Sequence, residues 1–184
     1  MRNLALLAAV ALAAPAAAQT PIPVRAFDSI ELVGGGEVIV RHGAQQRVTL
    51  ISGDRELAAF EVDRDNDLVI RACRRTCRNH NLRVEVVTPA LDGIAITGGG
   101  RIRTEQGFAA RRSIALAVTG GGDLDARTIR ADSVAAAVRG GGRISTTAER
   151  SLVASVSGGG AIRYRGDPAK TVSINGGGAV EPDR

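Results

Sequence analysis

Tryptophan is absent from this 184-residue chain, and its aromatic side chains are Phe27, Phe60, Phe108 and Tyr164. A globular enzyme ordinarily fills a thick core and lines its pocket with aromatics. So few of them argue for a thin interior filled by Val, Ile, Leu and Ala. Lysine is as scarce: Lys170 is the only one, so the formal charge of +5 is carried by arginine. Histidine is limited to His42 and His80, both far from any serine-containing motif, and no nucleophile and base pair is nominated. Beyond the first residues there is no long apolar run, and helical periodicity is absent after residue 28. A membrane span and a helical bundle are both excluded as expectations.

Glycine is plentiful, with 23 residues, and its placement is regular. Three consecutive glycines recur as Gly34, Gly35 and Gly36; Gly98, Gly99 and Gly100; Gly120, Gly121 and Gly122; Gly140, Gly141 and Gly142; Gly158, Gly159 and Gly160; and Gly176, Gly177 and Gly178. The last five triplets start 22, 20, 18 and 18 residues apart. A period near 20 fits one supersecondary unit stacked on the next.

Each triplet follows a stretch of alternating apolar residues, such as Ile114, Leu116 and Val118, or Leu152, Ala154 and Val156. Period-two alternation predicts a strand with one buried face. After each triplet one aliphatic returns at a fixed offset: Ile102, Leu124, Ile144, Ile162 and Val180. The unit therefore reads as strand, glycine corner, short strand and variable polar loop, with loops at Thr104 to Arg112, Ala126 to Asp132, Thr146 to Arg150 and Arg163 to Lys170. Such units bury their apolar faces when stacked as coils. The expected fold is all-β, a right-handed parallel β-helix of about five to seven coils, with a hairpin excursion around Cys73 to Asn81 in the N-terminal half. A β-sandwich is the alternative, but it needs hairpin turns between most strands. Gly141→Val is expected to cost several kcal/mol if φ is positive at that residue.

The N-terminus reads as a secretory signal peptide over residues 1–18. Arg2 gives the basic start, Leu4 to Ala14 the apolar run, and Ala16, Ala17 and Ala18 the small-residue cleavage site. Residues 19–26 read as a linker and 27–184 as a single domain. The expected location is periplasmic or secreted, with cleavage after Ala18.

The segments FDSIELVGGGEVIVRHG, beginning at Phe27, and LRVEVVTPALDGIAITGGGRI, beginning at Leu82, carry a family resemblance. Together with the repeated strand, glycine triplet, variable residue and aliphatic, they resemble the autotransporter adhesin head, or head GIN, domain over nearly the whole mature chain. The resemblance implies an exported bacterial β-helical domain. With no β-barrel after Arg184, transport of the chain to the surface by itself is not expected.

Candidate chemistry is sparse. A phosphate-binding glycine loop joins a strand to a helix; these triplets join strand to strand, so they read as structural corners. In-register stacking places Asp123 between Arg101 and Arg143 as an exposed ion ladder. The polar residues just before the triplets, Thr97, Thr119, Arg139, Ser157 and Asn175, form an outward row. Cys73 and Cys77 are the only cysteines, and in an oxidising compartment the default is a disulfide. The alternative adds His80 as a third soft ligand for zinc or copper. Arg71, Arg74, Arg75, Arg78 and Arg83 crowd the same segment, which suits an anion better than a cation. Asp63, Asp65 and Asp67 start like a calcium loop but lack its glycine and its glutamate, so they read as a charged turn.

No cofactor and no metal are expected. The reading is an exported, non-catalytic scaffold or adhesion-type binding module, with an envelope glycan or protein as partner and no nucleic acid. The alternatives are a structural or envelope-stress protein docking on another protein, and a carbohydrate-active enzyme. Enzymatic β-helices act through clustered carboxylates, which these repeats lack.

Overall fold

The computed structural model describes residues 20–73 and 81–183. Their regular structure is entirely extended: β1 (Thr20–Ile22), β2 (Ser29–Gly34), β3 (Glu37–His42), β4 (Arg47–Ser52), β5 (Ala59–Val62), β6 (Asp67–Arg71), β7 (Arg83–Thr88), β8 (Gly93–Gly98), β9 (Arg101–Thr104), β10 (Arg111–Gly120), β11 (Asp123–Gly140), β12 (Arg143–Ser157), β13 (Ala161–Arg165), β14 (Ala169–Asn175) and β15 (Ala179–Pro182). The 15 strands form one curled, nearly closed all-β sheet.

Two parallel ladders run through it. The strands that precede the corners pair in the order β6, β2, β8, β10, β11, β12 and β14. Those that follow pair as β7, β3, β9, β11, β12, β13 and β15. Register is strict at the corners, where Gly98, Gly120 and Gly140 face one another on neighbouring strands. Alternation then stacks like on like. Val38, Ile102, Leu124, Ile144 and Ile162 are all fully buried in one column, and Leu32, Ile96, Val118, Val138 and Val156 are buried in another. These aliphatic ladders account for the low aromatic content.

In the triplet at residues 140–142 the three glycines meet different surroundings. Gly140 has φ +112, and a Cβ there would lie 2.6 Å from the carbonyl oxygen of Gly120. Gly142 has no positive φ, but its Cβ would meet Val118 Cγ1 and come within 2.7 Å of Gly122 O. Gly141 has neither constraint: nothing lies within 4 Å of its Cβ position. The expectation for Gly141→Val is therefore corrected, because the strain sits on the first glycine and the close approach on the first and third.

The N-terminal part departs from the parallel pattern. β4 pairs antiparallel with β7, β5 with β6, and β1 with β4. The stretch read as a linker contributes β1, and Ile22 is buried there. Antiparallel strands cover the edges that β6 and β7 would otherwise leave open. Two stretches read as loops, Ala126 to Asp132 and Thr146 to Arg150, lie inside β11 and β12. Their interiors are apolar, with Ala126, Ile129, Ala131 and Ala148 buried, and register shifts near Arg130 absorb the extra residues. Residues 1–18, read as the signal peptide, lie outside the described residues.

Candidate functional site

The outward positions after the corners build a grid of charge. One column runs Arg83, Glu37, Arg101, Asp123 and Arg143 across neighbouring strands. Two residues further along, a second runs Glu85, Ile39, Arg103, Asp125, Ser145, Arg163 and Glu181. Parallel stacking brings these residues together although they are scattered through the sequence. The strand spacing of about 4.8 Å sets their separation.

Most of the charges neutralise one another. Arg83 meets Glu37 at 2.7 Å, and Arg103 reaches the same carboxylate at 3.4 Å. Arg101 lies 3.6 Å from Asp123. Arg127 binds Asp125 at 2.5 Å and Asp183 at 3.1 Å, and Arg165 joins Asp183 at 2.9 Å. The Arg127 guanidinium holds the carboxyls of Asp125 and Asp183 below the usual carboxylate range, and they in turn raise the pKa of Arg127.

These shifts make a stability prediction. A carboxyl depressed in the folded state adds stability that is complete above its unfolded pKa, near about 3.9, and is lost as pH falls through the folded value. Unfolding midpoints in urea should therefore stay level down to about pH 5 and drop below about pH 4. Asp125→Asn should lower the neutral plateau and flatten the acid limb. Parallel acid limbs in the two proteins would contradict the assignment.

Two arginines of this face are left over. A cleft of about 280 Å³ is lined by Arg101, Arg103, Arg127, Arg143 and Arg163 with Asp123, Asp125, Asp183 and Ser145. Among the described residues, Arg143 and Arg163 have no carboxylate within ion-pair distance. They sit diagonally on adjacent strands, Arg143 opposite Ala161 and Arg163 opposite Ser145. Their Cα atoms are roughly 8 Å apart, from the strand spacing and a rise of about 3.3 Å per residue. Both side chains are exposed.

Sequence reading reached Arg101, Asp123 and Arg143 and missed Arg103, Asp125, Arg127, Ser145 and Arg163. The second column was available from the same register, two residues further on. Arg127 was not, because its reach to Asp183 depends on how β11 bends. Of the arginines around the cysteines, Arg71 and Arg83 are exposed at the ends of β6 and β7; Arg74, Arg75 and Arg78 lie outside the described residues. Cys77 and His80 lie outside them too, and Cys73 is not free. The hairpin excursion expected around Cys73 to Asn81 falls largely outside the described residues; on either side of it, Ala72 N–H donates to Val33 O and Glu37 N–H to Leu82 O. Asp63, Asp65 and Asp67 form a turn in which Asp63 Oδ1 accepts from the N–H groups of Asp65 and Asp67.

Opposite in character is the face before the corners. Its outward residues include Ala95, Ala115, Ala117, Ala135, Ala137 and the exposed Val153, and they line a shallow apolar groove of about 470 Å³.

The sequence profile of the family described as "putative auto-transporter adhesin, head GIN domain" matches residues 26–114 and 107–168. The chain belongs to this family. A head GIN domain of this kind has solved structural relatives. A "putative adhesin" from Bacteroides fragilis is 22% identical, with 90% of this chain and 96% of that one covered and a TM-score of 0.55. A "putative lipid binding protein" from Parabacteroides distasonis is 17% identical, with 91% and 96% covered and a TM-score of 0.39. At these identities the first shows a shared fold. No curated protein matches the chain. No helix among the described residues of this head GIN domain is long and apolar enough to cross a membrane.

Proposed function

We propose that this head GIN domain is an exported, non-catalytic adhesion-type module that binds acidic glycan through the charged face after the glycine corners. The observation that carries the reading is the pair Arg143 and Arg163, the two cleft arginines without a carboxylate partner among the described residues. An arginine so placed offers a planar fork of donors to a carboxylate or sulfate. Two of them on a fixed strand spacing suit a polymer with regularly repeated acid groups. The family description supports adhesion as the class of function.

The proposal includes the architecture that displays the site. In-register parallel ladders on both sides of the corners support a right-handed parallel β-helix, closed at its N-terminal end by antiparallel strands. It also includes export through a signal peptide cleaved after Ala18 and a disulfide between Cys73 and Cys77. A second reading rests on the alanine-lined groove, whose small apolar side chains and exposed Val153 suit a flat protein partner.

The test is a titration of the mature protein with a polyuronate and with a neutral polysaccharide of the same length. The uronate should bind at low ionic strength, and its affinity should fall as salt rises. Equal binding of both polymers, or of neither, would overturn the glycan reading. Crosslinking in intact cells that captures one protein through residues of the alanine groove would favour the second.

A further inference from the structure

Lys170, Val172 and Ile174 occupy the positions that Leu152, Ala154 and Val156 hold one strand earlier. Those three are fully buried, whereas Val172 and Ile174 are 44% and 45% exposed. Among the described residues β14 pairs only with β12, and β15 only with β13. Among the described residues the sheet therefore ends in an open edge on both sides of the Gly176 to Gly178 corner. The N-terminal end is different, because antiparallel strands cover it.

The direction of the free backbone groups follows from the hydrogen bonds. Ala179 N–H donates to Gly160 O and Asp183 N–H to Tyr164 O, and Asn175 O accepts from Gly158 N–H. In a parallel ladder alternate residues point both backbone groups to one side. Ile174 and Val180 thus turn their N–H and C=O groups toward the open edge.

We propose that the occupant of this edge is a second copy of the chain, docked tail to tail about a two-fold axis through the corner at Gly177. That axis lays β14 of each copy antiparallel along β15 of the other. Counting three residues each way from Gly177, Ile174 meets Val180 of the partner, and their outward backbone groups face each other as a hydrogen-bonded pair. Five residues each way, Val172 meets Pro182 of the partner, apolar against apolar. The same surface on both copies makes a closed, isologous pair. Head-to-tail stacking would set β14 and β15 against the outer edges of β5 and β1, which are only 4 and 3 residues long.

Light scattering on the mature protein should give twice the chain mass. Ile174→Lys, at a position already exposed, should return the mass to one chain while the circular dichroism spectrum stays that of the parent. Gly177→Cys places one thiol per copy at the axis. There the strand spacing of about 4.8 Å falls within the Cα separation a disulfide accepts. Mild oxidation should crosslink most of that variant to dimer. A single-chain mass at every concentration, a dimer that survives Ile174→Lys, or no crosslink from Gly177→Cys in a dimeric sample would overturn the proposal. None of these variants touches Arg143 or Arg163, so failure here leaves the glycan reading standing.

Discussion

Gly140→Val lowers the melting temperature of the mature protein by roughly 6–20 °C, while Gly141→Val leaves the melting curve where it is. The two glycines are neighbours in one corner, and their environments differ completely. At Gly140 the backbone holds φ +112, a conformation that costs a β-branched residue of order 1–3 kcal/mol by itself. The added Cβ would also stand 2.6 Å from Gly120 O. That oxygen accepts the Gly141 N–H at 3.0 Å, one of the bonds that joins successive corners. Relief of the clash therefore breaks a hydrogen bond and spreads the ladder. At Gly141 the new side chain points into open space. Together the effects at Gly140 reach about 3–5 kcal/mol, and 1 kcal/mol shifts a domain of this size by about 2–4 °C. Calorimetry on both variants checks the pair, and equal curves would mean that the corners do not carry the register.

Arg143→Glu with Arg163→Glu should weaken polyuronate binding by at least about a hundredfold at low salt, without a comparable loss of stability. A charge-assisted hydrogen bond is worth about 1.5–3 kcal/mol, and each 1.4 kcal/mol is a factor of ten. Reversal removes two such bonds and sets two repulsive charges in the cleft. Each single change to alanine should cost about tenfold. The fold should tolerate these changes because both side chains are exposed and neither anchors an ion pair among the described residues. Arg101→Glu is the informative contrast. It removes the partner of Asp123 at 3.6 Å, an exposed pair worth about 0–1 kcal/mol, and leaves Arg143 and Arg163 in place. Fluorescence titration of these variants against the parent distinguishes a localised site from a diffuse basic surface, on which Arg101→Glu would cost as much as a single change at Arg143 or Arg163.

The repeat was legible because one residue type performs one mechanical task at each corner. The glycine triplets announced their spacing, and the aliphatic at the fixed offset announced the buried column now seen at Ile102, Leu124, Ile144 and Ile162. The charged column of Arg101, Asp123 and Arg143 followed from the same offset. What the pattern hid was anything that breaks it. β1 is three residues long and gains its place from β4, a partner more than 20 residues away. β11 and β12 run through stretches that look polar because Ile129 and Ala148 face inward among Asp, Arg and Thr. The middle glycine looked as constrained as its neighbours, because three identical letters conceal three different surroundings. The candidate cleft was half visible: Arg143 belongs to the column the spacing revealed, while Arg163 appears only when the register is carried two residues further.

The most direct measurement of the central claim is a solution NMR titration of the mature protein with an acidic oligosaccharide, following arginine side-chain Nε–Hε signals and alanine methyls together. The signals of Arg143 and Arg163 should move as one transition, and added salt should reverse it. Movement confined to Ala95, Ala115 and Ala137, with the two arginines unmoved, would contradict the account and place recognition on the apolar face.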